Sequence, residues 1–302
     1  DLVTAVGYST APKSVRDDKF FKIFVAKYNQ TMNTLFKRIA LSDFDIKRKI
    51  GEGAFGAVFL VQEKHSGSYY ALKKVSKFAL DLTDSALFTS FFTERDIMMN
   101  SQSQWLPKLF YSFQDAKNLY YTMEFLPGGD LEGLIDACYP LKPEYLIVYA
   151  AQSYLGVNAV HEAGYIHRDI KPENFIVTSQ GLVKITDFGL ALKLDANKRW
   201  STIRHAGTTE YMSPELFESM EYNHCRDFGL ETDMWSLGVH FYKLRAGFTP
   251  FQSMEGLPST TQIRSHDVTT MLFDIDSDGM PFQDLEIDII RRLLAPEYFS
   301  EN

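Results

Sequence analysis

The feature that most constrains this chain is a change of period at the stretch "LPGGD", Leu126 to Asp130. Before it, "FDIKRKI", "AVFLVQE" and "SYYALKKV" are runs rich in β-branched and aromatic residues. They read as strands, with glycine-rich punctuation between the first two and "KHSG" between the others. A helix is predicted from about Asp84 to Asn100, then a hairpin of "KLFYSFQ" and "LYYTMEF" joined by "DAKN". After "LPGGD" the pattern turns helical, apart from two short strands flanking "HRDIKPEN". Five strands with one helix, followed by a mostly helical half, predict an α+β chain of two lobes. At 302 residues each lobe can bury a core of its own. The domain limits expected are a helical extension over 1–42, a β-rich lobe over 43–125 and a helical lobe over 126–302. There is no internal repeat and no low-complexity segment.

Composition excludes several classes. A formal net charge of −8 disfavours a nucleic-acid binder, which needs a basic face, and suits cationic peptide partners. Two cysteines, Cys138 and Cys225, stand far apart with no histidine or cysteine at metal-ligand spacing, which excludes a disulfide framework and suits a reducing compartment. Apolar stretches such as "FFKIFV" are short, so no membrane span is expected. The start, "DLVTAVGYST", has no basic region followed by an apolar one, so no secretory signal is read there. A cytoplasmic chain, excised from a longer one, is the expectation. In residues 17–40, Phe20, Ile23, Phe24, Tyr28, Met32, Leu35 and Phe36 have near-helical spacing. An amphipathic helix there has two uses: packing on its own domain, or pairing in a homodimer.

The chemistry is concentrated in five places. "GEGAFGAV", Gly51 to Val58, lies between two strands. A dinucleotide-binding turn needs a helix after its third glycine, whereas here a strand follows. A strand–glycine–strand hairpin can instead lie over phosphates and offer them backbone N–H groups. On the next strand Ala71 and Lys73 share a face while Lys74 points away, so Lys73 can reach under the glycine loop. A buried ammonium needs a carboxylate, and the helix "FFTERDIMMN" supplies Glu94 among apolar neighbours. "HRDIKPEN" packs five ionisable residues between two strands, and "KITDFGL" ends a strand in Asp187-Phe188-Gly189. Asp169, Asn174 and Asp187 carry oxygens of the kind that suit Mg²⁺, a hard cation usually shared with phosphates.

In residue type, order and context these five motifs resemble the eukaryotic protein kinases from about Phe44 onward. "FFTERDIM", "LFYSFQDAKNLYYTMEFLPGGDL" and "YIHRDIKPEN" resemble the cAMP-dependent/protein kinase C-like Ser/Thr group. Within it they resemble the Rho-associated, myotonic dystrophy and citron kinase branch, and "SQWLPKLFYSFQD" leans toward the citron kinases. "FVAKYNQTMNTL" resembles that branch's helical extension. The resemblance implies a two-lobed protein kinase fold and phosphorylation of protein Ser/Thr hydroxyls with ATP and Mg²⁺. It implies a setting in cytoskeletal or cell-division signalling, with small-GTPase-linked or cytoskeletal partners engaged through regions outside this sequence.

Roles follow from the same resemblance. Gly51, Glu52, Gly53, Ala54, Phe55 and Gly56 cover ATP, and Lys73, paired with Glu94, holds its α- and β-phosphates. Asp169 accepts the substrate hydroxyl's proton and Lys171 steadies the γ-phosphate, while Asn174 and Asp187 bind Mg²⁺. Val58, Ala71 and Ile176 sandwich the adenine, with Met123 behind it. Main-chain groups of Glu124 and Leu126 read its edge. Asp130 reaches the ribose or a basic substrate side chain, and Glu173 counts with the nucleotide-binding residues. Met98, Leu109, His167 and Phe188 form an apolar stack aligning the lobes.

The sequence also departs from the family pattern. Ser213-Pro214-Glu215 stands where Ala-Pro-Glu is usual, Thr209 where Pro is, and Lys243 where relatives that select basic peptides carry Glu. The arginine that pairs with Glu215 in relatives would fall near Glu301, and none is there. The helical lobe therefore reads as incomplete at its C-terminus, and the alternative function is a catalytically weak or inactive scaffold that binds ATP. "DIDSDG", Asp274 to Gly279, opens like a calcium loop, but its twelfth position is Leu285 instead of Glu and Pro281 interrupts it. An acidic surface loop is expected there.

Overall fold

The computed structural model describes residues 39–53, 56–78, 85–202, 206–222, 226–251, 263 and 282–295. The chain divides into two units, Asp1–Phe44 and Asp45–Asn302. The helix expected within 17–40 falls almost wholly outside the described residues, as does the "DIDSDG" loop.

Five strands, β1 (Phe44–Gly53), β2 (Gly56–Glu63), β3 (Tyr69–Ser76), β4 (Leu109–Gln114) and β5 (Asn118–Glu124), form one sheet in the order β1-β2-β3-β5-β4. The β2–β3 and β3–β5 pairings are antiparallel. They set Val58 opposite Lys73 and Lys73 opposite Tyr121, and Leu60 opposite Ala71 and Ala71 opposite Met123. Alternation along β3 buries Ala71 and Lys73 and exposes Lys74. Helix α1 (Ser85–Asn100) lies against the sheet and buries Phe91, Glu94, Ile97 and Met98.

The second half is mainly helical. Helix α2 (Leu131–Cys138) is capped by Asp130, whose carboxylate accepts the amide of Gly133 at 2.8 Å. Helix α3 (Pro143–Glu162) begins with the proline that suits a first helical turn. Between α3 and the next helix run β6 (Tyr165–Ile166), β7 (Phe175–Val177), β8 (Val183–Ile185), β9 (Leu192–Lys193) and β10 (Trp200–Thr202). They pair as β7–β8, β6–β9 and, with β11 (Arg226–Phe228), β10–β11. Helix α4 (Pro214–Tyr222) precedes β11. Helix α5 (Glu231–Ala246) is buried along most of its length and ends at Gly247, whose φ of 81° is the left-handed cap glycine tolerates. Helix α6 (Asp284–Leu293) packs beside it.

One apolar core runs through both halves. Val75, Phe91, Met98 and Tyr121 from the sheet side join Leu131, Val157, Phe188 and Leu237 from the helical side. A second core, with Phe217, Trp235, Tyr242 and Ile290, fills the base of the helical half. The architecture is the two-lobed α+β fold the sequence predicts. Among the described residues no helix is long and apolar enough to cross a membrane.

Candidate active site

A cleft of about 540 Å³ opens where the sheet meets the helical half. Gly51, Glu52, Gly56 and Val58 line it from the glycine hairpin, and Ala71 and Lys73 from β3. Gly56 has a φ of +139°, and a Cβ there would come within 2.2 Å of the Lys74 carbonyl, so β2 can start this close to β3 only with glycine. Gly53 ends β1, and Ala54 and Phe55 lie outside the described residues. Met123, Glu124 and Leu126 line the cleft where the lobes connect. The Glu124 amide donates to the Lys108 carbonyl at 2.9 Å, so of its main-chain groups only the carbonyl can serve a base. The Glu124 carboxylate pairs with Lys184 at 2.7 Å. Glu173 and Ile176 complete the far wall with Asp169, Asn174 and Asp187. Asp130 is not among the lining residues; its side chain caps α2, and its backbone bridges Ile176.

The Lys73 ammonium is paired with the Glu94 carboxylate, and both side chains are buried. The pair fastens α1 to β3. Tyr121, opposite Lys73 in the sheet, lies with its ring centre 5.9 Å from the ammonium. Burial first, then the Glu94 carboxylate, push the Tyr121 phenol well above its ordinary value, so it stays protonated.

The loop carrying Asp169 hangs from one buried carboxylate. Asp233 of α5 accepts the amides of His167 at 2.8 Å and Arg168 at 2.9 Å, and its Oδ2 lies 2.8 Å from His161 Nε2. Burial pushes the Asp233 carboxyl up, but its contacts with His161 and His167 together outweigh it and hold the group below the ordinary carboxylate range. His167 donates from Nε2 to the Thr186 carbonyl at 3.0 Å and accepts the Asp169 amide on Nδ1 at 3.3 Å. Its ring meets Phe188 edge-on at 5.5 Å, and Phe188 belongs to the same apolar core as Met98, with Leu109 packed against that core.

Asp169 is held on every side. Thr208 donates to Oδ1 from its amide at 3.0 Å and its hydroxyl at 2.8 Å. Lys171 stands 3.0 Å from Oδ2 and donates to the Thr208 hydroxyl oxygen at 2.7 Å. The Asn174 amide nitrogen donates to the Asp169 carbonyl at 2.6 Å and to Oδ2 at 3.2 Å. Burial pushes the Asp169 carboxyl up, but Lys171 and Thr208 outweigh it and hold it below the ordinary range. It is therefore a carboxylate at neutral pH. Gly207, just before Thr208, has a φ of +125°, and a Cβ there would lie 2.6 Å from the Arg168 carbonyl.

Asp187 has a φ of 57° and a ψ of 70°, a left-handed conformation that costs a non-glycine residue energy and that clusters at functional sites. It brings Asp187 to the same cleft as Asn174. Among the described residues no three His, Cys, Asp or Glu side chains form a metal cage. Asp187 and Asn174 bring one carboxylate and one amide oxygen to the cleft, and with phosphates such oxygens make the kind of set that usually binds Mg²⁺. Asn174 spends its nitrogen on Asp169, which leaves its oxygen to offer a cation. The residues present therefore fit both ATP and Mg²⁺.

Sequence reasoning missed Thr208, Asp233, His161 and Tyr121 as supports of the site. The one available signal was a carboxylate, Asp233, among the apolar residues of "DMWSLGV". Of the departures, Lys243 pairs with Glu132 at the C-terminal end of α5, and Glu215 is not without a partner.

Residues 44–295 match the model of the protein kinase domain family. Human Rho-associated protein kinase 1 is 35% identical over 280 residues, which is 92% of this chain and 20% of that protein. Human citron Rho-interacting kinase is 40% identical over 230 residues, 76% of this chain and 11% of that protein. The Rho-associated kinase let-502 of Caenorhabditis briggsae is 35% identical over 283 residues, again 92% of this chain and 23% of that protein. The chain thus spans less than a quarter of the length of these relatives. With a family model covering most of the chain and the family's motifs brought to one cleft, the chain belongs to the protein kinase family, in the branch of the Rho-associated and citron kinases.

Proposed function

We propose that this chain transfers the γ-phosphoryl group of ATP to Ser and Thr hydroxyls of protein substrates. The observation that carries this reading is the convergence of the Lys73–Glu94 pair, Asn174, Asp187 and the ionised Asp169 on one cleft. Phosphoryl transfer depends mostly on positioning and charge neutralisation, and these residues supply both. In the proposed mechanism Lys73 binds the α- and β-phosphates beneath the Gly51–Gly56 hairpin. Asn174 and Asp187 hold Mg²⁺, which when bound neutralises phosphate charge. Asp169 orients the substrate hydroxyl and takes its proton as oxygen attacks the γ-phosphorus and the bond to ADP breaks. Lys171, already beside Asp169 and Thr208, steadies the transferring group. Met123, Val58, Ala71 and Ile176 enclose the base, and the carbonyl of Glu124 and main chain of Leu126 read its edge.

Relatives named Rho-associated and Rho-interacting kinases support a place in small-GTPase-linked, cytoskeletal signalling in the cytoplasm. Such partners would be engaged through regions outside this sequence. We further propose the limits 1–42, 43–125 and 126–302 for extension and lobes, with the extension serving a homodimer. The decisive experiment is transfer of labelled phosphate from ATP to a generic basic Ser/Thr peptide, with Asp169→Asn as control. Equal turnover by the two proteins would defeat the proposal.

A further inference from the structure

Helix α1 is tied down at two points one turn apart. Glu94 reaches Lys73 of the sheet, and four residues earlier, on the same face, the half-buried Ser90 donates its hydroxyl hydrogen to the Gly189 carbonyl. Gly189 lies in the short turn Phe188–Leu190, directly after the left-handed Asp187. That turn is closed from within by the Ala191 amide on the Phe188 carbonyl at 3.1 Å. Ser90 secures it from outside. Serine is a mediocre helix former, so helix propensity does not account for it here. A carbonyl in a turn packed under a helix needs a donor, and Ser90 supplies one.

We infer that Ser90 is a positioning residue that couples the seat of α1 to the conformation of Asp187, so that the Lys73–Glu94 pair and the cation-binding carboxylate assemble together. This rests on the functional reading above and deepens it. Without the Ser90 hydroxyl, α1 and the Asp187 turn can part, and the Gly189 carbonyl loses its donor. A hydrogen bond of this kind biases such an equilibrium by roughly threefold to tenfold.

The test compares Ser90→Ala and Ser90→Val, which lack the hydroxyl, with Ser90→Thr, which keeps it in the shape of valine. Three quantities are read: kcat for peptide phosphorylation, nucleotide affinity without Mg²⁺, and the Mg²⁺ concentration that half-saturates the Mg²⁺-dependent gain in nucleotide binding. The expected result for the alanine and valine variants is a kcat reduced about threefold to tenfold and a Mg²⁺ requirement raised by a similar factor. Their metal-free affinity should stay within about twofold of the wild type, and threonine should restore both altered quantities. Wild-type behaviour in the alanine and valine variants would overturn the inference, as would a threonine variant equally impaired. So would a metal-free affinity that falls in step, which would mark general loosening. If the wild type transfers no phosphate, the functional reading fails, and the Mg²⁺ requirement still decides the role of Ser90.

Discussion

The guanidinium of Arg168 lies over the ring of Trp200, 4.7 Å from its centroid. The ring is buried and also packs on Phe228 at 4.7 Å, where β10 pairs with β11. Burial pulls the Arg168 pKa down to about 10, which still leaves it charged at neutral pH. In this family an arginine before the catalytic aspartate commonly waits for a phosphate on the segment here running from Asp187 to Glu215. The phosphorylated threonine would be expected three residues before Gly207, and that position is Arg204. Here the cation lies over the Trp200 ring, with one guanidinium nitrogen 3.5 Å from the Leu190 carbonyl.

Activity should therefore not depend on phosphorylation of this segment. Ser201 stands opposite Asp227 in the β10–β11 register, where a phosphate would face a like charge. Phosphatase-treated protein and Ser201→Ala/Thr202→Ala should keep activity within tenfold of untreated wild type, and a larger loss in either refutes the expectation. Trp200→Ala should destabilise the protein by about 3–5 kcal/mol in denaturant unfolding, as core aromatic deletions do, and lower activity.

Lys73→Met and Glu94→Gln should act as one unit, because each alone strands a buried charge at a cost of about 3–5 kcal/mol. The double mutant should lose clearly less than the sum of the two in stability and in turnover. Strict additivity would mean the ion pair is not coupled. Lys74→Met, at an exposed position of β3, should be mild.

His240 makes a pH prediction. It is fully buried, stacked on Phe175 at 4.6 Å with Nε2 3.1 Å from the Ser153 hydroxyl, and burial holds its pKa down to about 3. Between about pH 3 and pH 6.5 the unfolded chain binds a proton here that the folded chain does not, so this group's contribution to stability falls as pH falls. From pH 7.5 to 5.5 it should remove about 1.4 kcal/mol, roughly what a histidine with an ordinary unfolded pKa takes up over that span. His240→Gln, whatever its absolute stability, should show a flatter unfolding free energy over that range. An unchanged slope would show that His240 does not titrate on unfolding.

Much of this site is legible in the sequence because its signals are local. Alternation on one strand separates Lys73 from Lys74, and a hairpin in place of a helix after Gly56 separates phosphate cover from a dinucleotide turn. The supports are another matter. Thr208 reaches Asp169 across 39 residues, and Asp233 reaches Arg168 across 65. No period or spacing encodes such contacts, because folding of the intervening segments makes them. Trp200 reads in sequence as one more aromatic, and its role appears only when β10 and β11 pair. Asp130 has both the chemistry to bind a ribose and the position to cap a helix; in the structure its side chain serves the cap.

The most direct test of the central claim is turnover of Asp169→Asn beside its ATP affinity. Asp169 is ionised, fixed by Lys171, Thr208 and Asn174, and set at the cleft. Phosphate transfer should fall by about 10²–10⁴, typical of a lost acid–base group, with ATP binding changed by no more than about threefold. Turnover close to wild type in Asp169→Asn would contradict that claim.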